Sequence, residues 1–222
     1  MAQNGNPEIG AGLFAPASYE VAPGACHYPG YLDQPAQDRL VNALRSVVSA
    51  APFFRPTMPK NGRPFSVQMT NCGPLGWVSD RQRGYRYQAV HPETGLPWPM
   101  MPDVLVEIWQ GLAPAAPLPE AALINYYRSE ARMGLHQDSD EADYTVPVVS
   151  ISLGDTARFR VGGTSRRDRT RSIKLESGDA FVLSGPSRLA FHGIDRIYPG
   201  TCDLLKDGGR LNVTLRRVNV EA

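Results

Sequence analysis

His136-Gln137-Asp138 sets an imidazole and a carboxylate two residues apart, so in extended backbone both point to one side and can share an ion while Gln137 faces away. A third donor is available in His192, which the sequence puts at the end of a short aromatic-containing strand, 188–192, just before Gly193 lets the chain turn. Two imidazoles and one carboxylate leave three of six octahedral positions open, which suits ferrous iron that must hold a chelating co-substrate and dioxygen together. A structural zinc site would instead close its shell with protein ligands. Taken alone the pattern is weak, because an HxD tripeptide is common by chance and a lone His on a strand is more often a hydrogen-bonded core or surface residue.

A second constellation lies near the carboxyl end. Strict alternation over Arg210-Leu211-Asn212-Val213-Thr214-Leu215-Arg216 puts Leu211, Val213 and Leu215 on one face and Arg210, Asn212, Thr214 and Arg216 on the other. An amphipathic strand with its polar side in water explains the alternation but not the choice of residues. If the polar face lines a barrel beside the metal, two guanidiniums there need anionic partners, because an unpaired buried charge is very costly. A dicarboxylate such as 2-oxoglutarate supplies them, its distal carboxylate gripped by two parallel hydrogen bonds from an Arg. Asn212 on the same face, and Asn125 and Tyr127 on one face of an earlier strand, are the other expected co-substrate contacts.

Positioning these groups takes a sheet. Short β-branched or aromatic runs punctuated by Gly, Pro, Asn and Asp predict strands over 122–127, 146–153, 158–161, 172–175, 180–183, 188–192 and 210–218. Such spacing, with no helices between, favours an antiparallel sandwich or barrel, read here as a β jelly roll backed by helices. Upstream, Asp33 caps an expected helix whose apolar positions Leu40, Val41, Leu44, Val47 and Val48 run until Pro52. A second is expected over 104–112, with Pro102 and Asp103 in its first turn and a stripe of Val104, Leu105, Ile108 and Leu112. Roughly the first thirty positions read as an irregular arm.

The chain as a whole, 222 residues with 42% hydrophobic content and a formal charge of +1, fits one globular domain over 1–222, read as a monomer. The near-neutral charge hides a basic stretch: between Asp155 and Lys174, Arg158, Arg160, Arg166, Arg167, Arg169, Arg171 and Lys174 face only Asp155 and Asp168, so a local basic surface is available. Cys26, Cys72 and Cys202 are scattered and odd in number, matching neither a disulfide framework nor a thiolate zinc site. With no membrane-length apolar stretch and no signal-peptide pattern, the expectation is a soluble cytoplasmic protein.

The runs MTNCGPLGW, LINYY, LHQDSDEADYTVPVVSISLG, SRLAFHGI and RLNVTLR, in that order, resemble the motifs of the AlkB family of iron(II)- and 2-oxoglutarate-dependent dioxygenases over roughly residues 52–218. The resemblance implies a double-stranded β-helix core over about 120–218. Within it, Fe(II) would be held by His136, Asp138 and His192, and 2-oxoglutarate by Asn125, Tyr127, Arg210 and Arg216, with O2 as co-substrate. It also implies a nucleotide-recognition lid over about 53–98, where Trp77 would stack on an extruded base beside Tyr85 and Tyr87. Asp140 and Arg166 would touch the base or its strand, and Arg81, Arg83 and Arg86 fit a phosphate backbone crossing the lid. Against the family pattern Arg83 is an extra residue before Gly84, and Arg63 and Phe65 differ in type, which leaves substrate range open. The implied reaction is oxidative demethylation of N1-methyladenine and N3-methylcytosine in DNA, single strands preferred, releasing aldehyde, succinate and CO2.

Three other readings stay open on the sequence. The enzyme could act on RNA, a protein side chain or a small molecule. The chain could be a nucleic-acid-binding module with a vestigial metal site, or a cupin-like isomerase or sugar-binding barrel that needs a metal but no dicarboxylate grip.

Overall fold

In the computed structural model, which describes residues 17–220, the chain opens with a hairpin of β1 (Tyr19–Ala22) and β2 (Ala25–Tyr28), then α1 (Gln34–Ala50) and β3 (Gln68–Cys72). A two-stranded ribbon of β4 (Gly76–Asp80) and β5 (Gly84–Gln88) and the helix α2 (Asp103–Leu112) follow. The remaining strands are β6 (Ala121–Tyr127), β7 (Met133–His136), β8 (Val148–Gly154), β9 (Thr156–Val161), β10 (Arg171–Leu175), β11 (Ala180–Leu183), β12 (His192–Tyr198) and β13 (Arg210–Arg216).

These strands build two antiparallel sheets, a major one ordered β1-β2-β11-β8-β13-β6-β3 and a minor one ordered β10-β9-β12-β7. The major sheet buries apolar side chains on both sides, with a polar patch from β6, β8 and β13 on the inner one. Ile124, Val149, Ile151, Val213 and Leu215 on its outer face pack under Leu40, Leu44, Leu105, Ile108 and Trp109 of the helices. Leu123, Phe181 and Leu183 on its inner face meet Phe159, Ile194 and Ile197 of the minor sheet. Each such side chain contributes about 1.5–3 kcal/mol when fully buried, so the two layers fix which face of β6 and β13 looks into the barrel. The result is the jelly roll, or double-stranded β-helix, backed by helices.

Local chemistry explains the helix limits. The Asp33 carboxylate accepts from Ala36 N at 2.9 Å, and Pro35 occupies the first turn of α1 where its missing N–H costs nothing. The expected strand at 146–153 begins only at Val148, after Pro147, which cannot donate to a ladder.

Three expectations need correction. The irregular arm of about 1–30 lies partly outside the described residues, and from Tyr19 to Tyr28 it is a regular hairpin that extends the major sheet through β2 and β11. The segment 53–98, expected as a nucleotide-recognition lid, holds three strands that the turn-rich sequence hid: β3 is the edge of the major sheet, and β4 and β5 form the ribbon. The segment 188–192 is not a strand: a short 3-10 turn at Gly185–Ser187 precedes it, and the strand starts at His192 and runs on through Gly193. Its apolar residues mimic strand patterning because they line a buried turn around Arg188, whose guanidinium donates to Val146 O and Asp138 O, both at 2.8 Å.

Candidate active site and metal centre

His136 closes β7 and His192 opens β12, and these two residues are register partners, so antiparallel pairing alone sets the imidazoles side by side with ring centroids 4.5 Å apart. Gly193 makes that approach possible: a Cβ there would sit 2.5 Å from Met133 O, forcing β12 away from β7. Asp138 follows in the loop, 3.8 Å from His136 Nε2 through Oδ1 and 3.7 Å from His192 Nε2 through Oδ2. Gln137 turns away and donates to Leu189 O at 2.6 Å.

Both His Nδ1 atoms face carbonyl oxygens, Gly134 O and Ala190 O, at 2.9 Å. A carbonyl only accepts, so each Nδ1 carries the proton and each Nε2 keeps its lone pair for an ion. Burial, reinforced by His136, lowers the His192 imidazole to about 4, so it is neutral and ready to coordinate at neutral pH. Burial opposes ionisation of Asp138, but Arg216, the two His and Arg188 outweigh it and hold its carboxyl well below the usual range. Its Oδ2 is buried without a hydrogen-bond partner. Two free imidazole nitrogens and one orphaned carboxylate oxygen, converging within 4.8 Å, fit a divalent metal.

Behind the triad lies an ion network that the sequence did not reveal. Arg216 Nη2 donates to Asp138 Oδ1 at 2.8 Å, its Nη1 to Tyr87 OH at 3.1 Å, and its Nε lies 3.6 Å from Glu141. Glu141 also accepts from Tyr87 OH and from Arg188 Nη2, the latter at 3.1 Å, and its side chain is fully enclosed. Arg216 therefore holds Asp138 in place, and Glu141 ties the β4–β5 ribbon to the core. In sequence, Glu141 looked like one more acid in the loop DSDEAD. Glu141→Gln keeps the shape but leaves buried Arg188 without its carboxylate and Arg216 with Asp138 alone, so stability in a denaturant melt is expected to fall by about 3–5 kcal/mol. Tyr87→Phe, which loses only hydrogen bonds, should cost about 1 kcal/mol; equal midpoints for Glu141→Gln and the parent would show that the network is not coupled.

The polar face of β13 does look into the barrel. Asn212 pairs with Asn125, and Arg210 with Tyr127, across the β13–β6 ladder. Arg210 is 0% exposed, and its guanidinium meets only neutral acceptors: Ser152 Oγ at 2.6 Å, Leu175 O at 3.1 Å and Asp155 O at 3.2 Å. Burial pulls it down to about 10. Its Nε is unpartnered and its hydrogen bonds reach no carboxylate, Asp179 acting on it only through its charge, so the guanidinium fits a carboxylate of 2-oxoglutarate. Asn212 donates to Ser150 Oγ at 2.7 Å and lines the same cavity.

That cavity, about 360 Å³, runs from Tyr127, Asn125 and Asn212 past the triad to a mouth formed by Phe65, Trp77, Tyr85, Asp140 and Arg166. Trp77 is 9% exposed, stacks on Tyr85 with centroids 5.5 Å apart, and donates from Nε1 to Asp140 Oδ2 at 2.7 Å. Arg166 lies over the Phe191 ring at 4.8 Å. Tyr87 departs from the expected set: alternation on β5 aims it into the Glu141–Arg216 network, away from the cavity wall. A larger open hollow of about 790 Å³ lies between α1 and the 199–209 loop, across the major sheet from the triad. It holds none of the orphaned polar atoms, so the chemistry belongs to the smaller cavity.

The 2OG-Fe(II) oxygenase superfamily model matches residues 24–216. The chain is 55% identical over 197 residues to the alpha-ketoglutarate-dependent dioxygenase AlkB homolog of Caulobacter vibrioides (strain NA1000 / CB15N), covering 89% of each chain. It is 42% identical over 186 residues to alpha-ketoglutarate-dependent dioxygenase AlkB of Escherichia coli (strain K12), covering 82% of this chain and 85% of that one. Among solved structures, that of OsALKBH1 superposes with a TM-score of 0.79 at 31% identity over 90% of this chain and all of the other. Together with the His136–Asp138–His192 triad, these matches show that the chain belongs to the AlkB family of iron(II)- and 2-oxoglutarate-dependent dioxygenases.

Proposed function

We infer that the enzyme oxidatively demethylates N-alkylated nucleobases, N1-methyladenine and N3-methylcytosine, in single-stranded DNA as part of alkylation repair. The observation that carries this reading is the mouth of the cavity, where a flat aromatic wall, Trp77 on Tyr85, stands beside a carboxylate, Asp140, and a guanidinium, Arg166. A base drawn from its stack loses stacking energy that an aromatic face partly restores, at about 1–3 kcal/mol per base. Tyr85 stacks on the indole and the Phe65 ring meets it edge-on at 6.2 Å, so the three rings form one aromatic wall against which a base could stack. Alkylation at N1 or N3 makes the base cationic, which the Asp140 carboxylate favours, while Arg166 suits a phosphate of the strand.

When bound, iron(II) and 2-oxoglutarate supply with O2 the power to hydroxylate the N-alkyl carbon, yielding aldehyde, succinate and CO2. The protein's own share is positioning. His136, Asp138 and His192 hold the metal, and Arg210 with Tyr127, Asn125 and Asn212 fixes the dicarboxylate. Arg216 steadies Asp138, so its contact with the co-substrate is secondary to that ion pair. No protein nucleophile is required.

The direct test incubates protein, Fe(II) and 2-oxoglutarate without oxygen, then adds O2 and a single strand carrying N1-methyladenine, following succinate and the strand's mass. Demethylation that needs every component is the expected result; succinate without demethylation would move the substrate to RNA or another class. Trp77→Ala is expected to raise KM for the methylated strand by about 10- to 100-fold, the loss of roughly one stacking contact. Metal affinity should stay unchanged. Normal turnover by that variant would remove Trp77 from the stacking role.

A further inference from the structure

The outer face of the minor sheet carries a row of cations with no assigned work. Lys174 on β10 and Arg196 on β12 are both register partners of Arg158 on β9, so one line across three strands is Lys174–Arg158–Arg196. Arg160 stands two residues nearer the active site, about 7 Å along the same strand. The opposite faces of these strands, Phe159, Val161 and Ile194, are buried in the core, so this cationic row faces solvent. Lys174 Nζ and Arg196 Cζ lie over the Tyr198 ring, at 5.6 and 5.0 Å, which holds both heads close to the sheet.

The row is continuous with the catalytic mouth. The loop joining β9 to β10 carries Arg166 at the cavity rim, with Arg167 and Arg169 exposed beside it. Acids do not balance this surface. Asp195 neutralises Arg158 at 2.7 Å, Asp168 is used inside its own loop on Ser165 N, and Glu176 follows β10 at the far end. The net charge is therefore positive from the mouth to the middle of the sheet, in a protein whose overall charge is only +1.

Resting on the nucleic-acid reading above, we propose that this face is a track for the phosphate backbone of the strand flanking the bound nucleotide, running from Arg166 over Arg160 to Lys174 and Arg196. It recognises phosphate, and so takes either a DNA or an RNA strand, without reading sequence. The site at the mouth handles one nucleotide; the track extends the grip to the neighbours.

The test compares parent enzyme with the Lys174→Gln/Arg196→Gln variant, both exposed positions, by fluorescence anisotropy. Probes are a labelled oligodeoxythymidine and an oligouridine of about 25 nucleotides, and a pentanucleotide with a central N1-methyladenine, titrated between about 50 and about 200 mM salt. For the long strands the variant is expected to bind about 10-fold more weakly at the low-salt end, with a log–log salt slope shallower by about 1.4, or 0.7 per lost phosphate contact. The pentanucleotide, too short to leave the mouth, should bind both proteins alike, and Lys174→Arg/Arg196→Lys should restore long-strand affinity. Equal losses on both polymers identify the phosphate as the ligand, and a loss on one names the strand the track takes. Identical long-strand curves for parent and variant would overturn the track while leaving the function intact. A parent that holds neither the pentanucleotide nor the long strands would overturn the nucleic-acid reading itself.

Discussion

Asp138→Asn is expected to abolish turnover by two routes that one experiment separates from the effect of His136→Ala. Asp138 is both a candidate metal ligand and the buried counter-charge of Arg216, at 2.8 Å. Its loss should weaken Co(II) or Fe(II) binding by more than about 100-fold, beyond the 10- to 100-fold typical of losing a group that merely orients a ligand. It should also destabilise the metal-free protein by about 3–5 kcal/mol, because among the described residues the more distant Glu141 is then the one carboxylate paired with Arg216. His136 has a side chain 39% exposed and only a local hydrogen bond, so His136→Ala should lose the metal with little change in metal-free stability. Metal titration and denaturant melts on the two variants give the contrast. Equal stability losses would mean that Arg216 does not depend on Asp138, and the positioning role given to it would fall.

Arg210→Met is the second large effect. The guanidinium is enclosed, donates only to neutral oxygens, and keeps its Nε unpartnered, which is why a dicarboxylate's distal end is proposed as its partner. Removing charge-assisted bonds worth about 1.5–3 kcal/mol each should raise the apparent Kd for 2-oxoglutarate by at least about 100-fold. Arg210→Lys retains charge without the planar fork and should fall between, about 10-fold weaker. With Mn(II) in place of iron, the parent's Tm should climb as 2-oxoglutarate is added, and the Met variant's Tm should stay flat while Mn(II) still stabilises it. A Met variant that still responded to 2-oxoglutarate would place the distal carboxylate elsewhere in the barrel.

Much of this site was legible along the chain because its parts are local or periodic. The HxD tripeptide keeps its two donors together through the backbone whatever surrounds it, and the period-two pattern of 210–216 sorts Arg210, Asn212 and Arg216 onto one face of any strand. Capping chemistry at Asp33 and the apolar stripe after it fix α1 in the same way. Where the reading failed, the deciding contact was distant in sequence. The strand expected at 188–192 yielded to a turn because Arg188 reaches carbonyls and a carboxylate more than forty residues upstream. β3, β4 and β5 needed β6 and each other to become regular, since β-propensity depends on packing against cross-strand neighbours.

By itself, then, the sequence determined the donor set, the strand that carries the arginines, and which side of each helix is buried, since these follow from residue chemistry and the periods of helix and strand. Only the tertiary structure decided how the two arginines divide their work. Both sit on one face of β13, yet Arg216 is ion-paired with Asp138 and Glu141, and Arg210 donates only to neutral oxygens. It also decided that Tyr87 serves the ion network and Trp77 the cavity. Adjacent strands and a shared buried volume determine which charges meet, and no spacing along one chain encodes a pairing whose strength depends on excluding water.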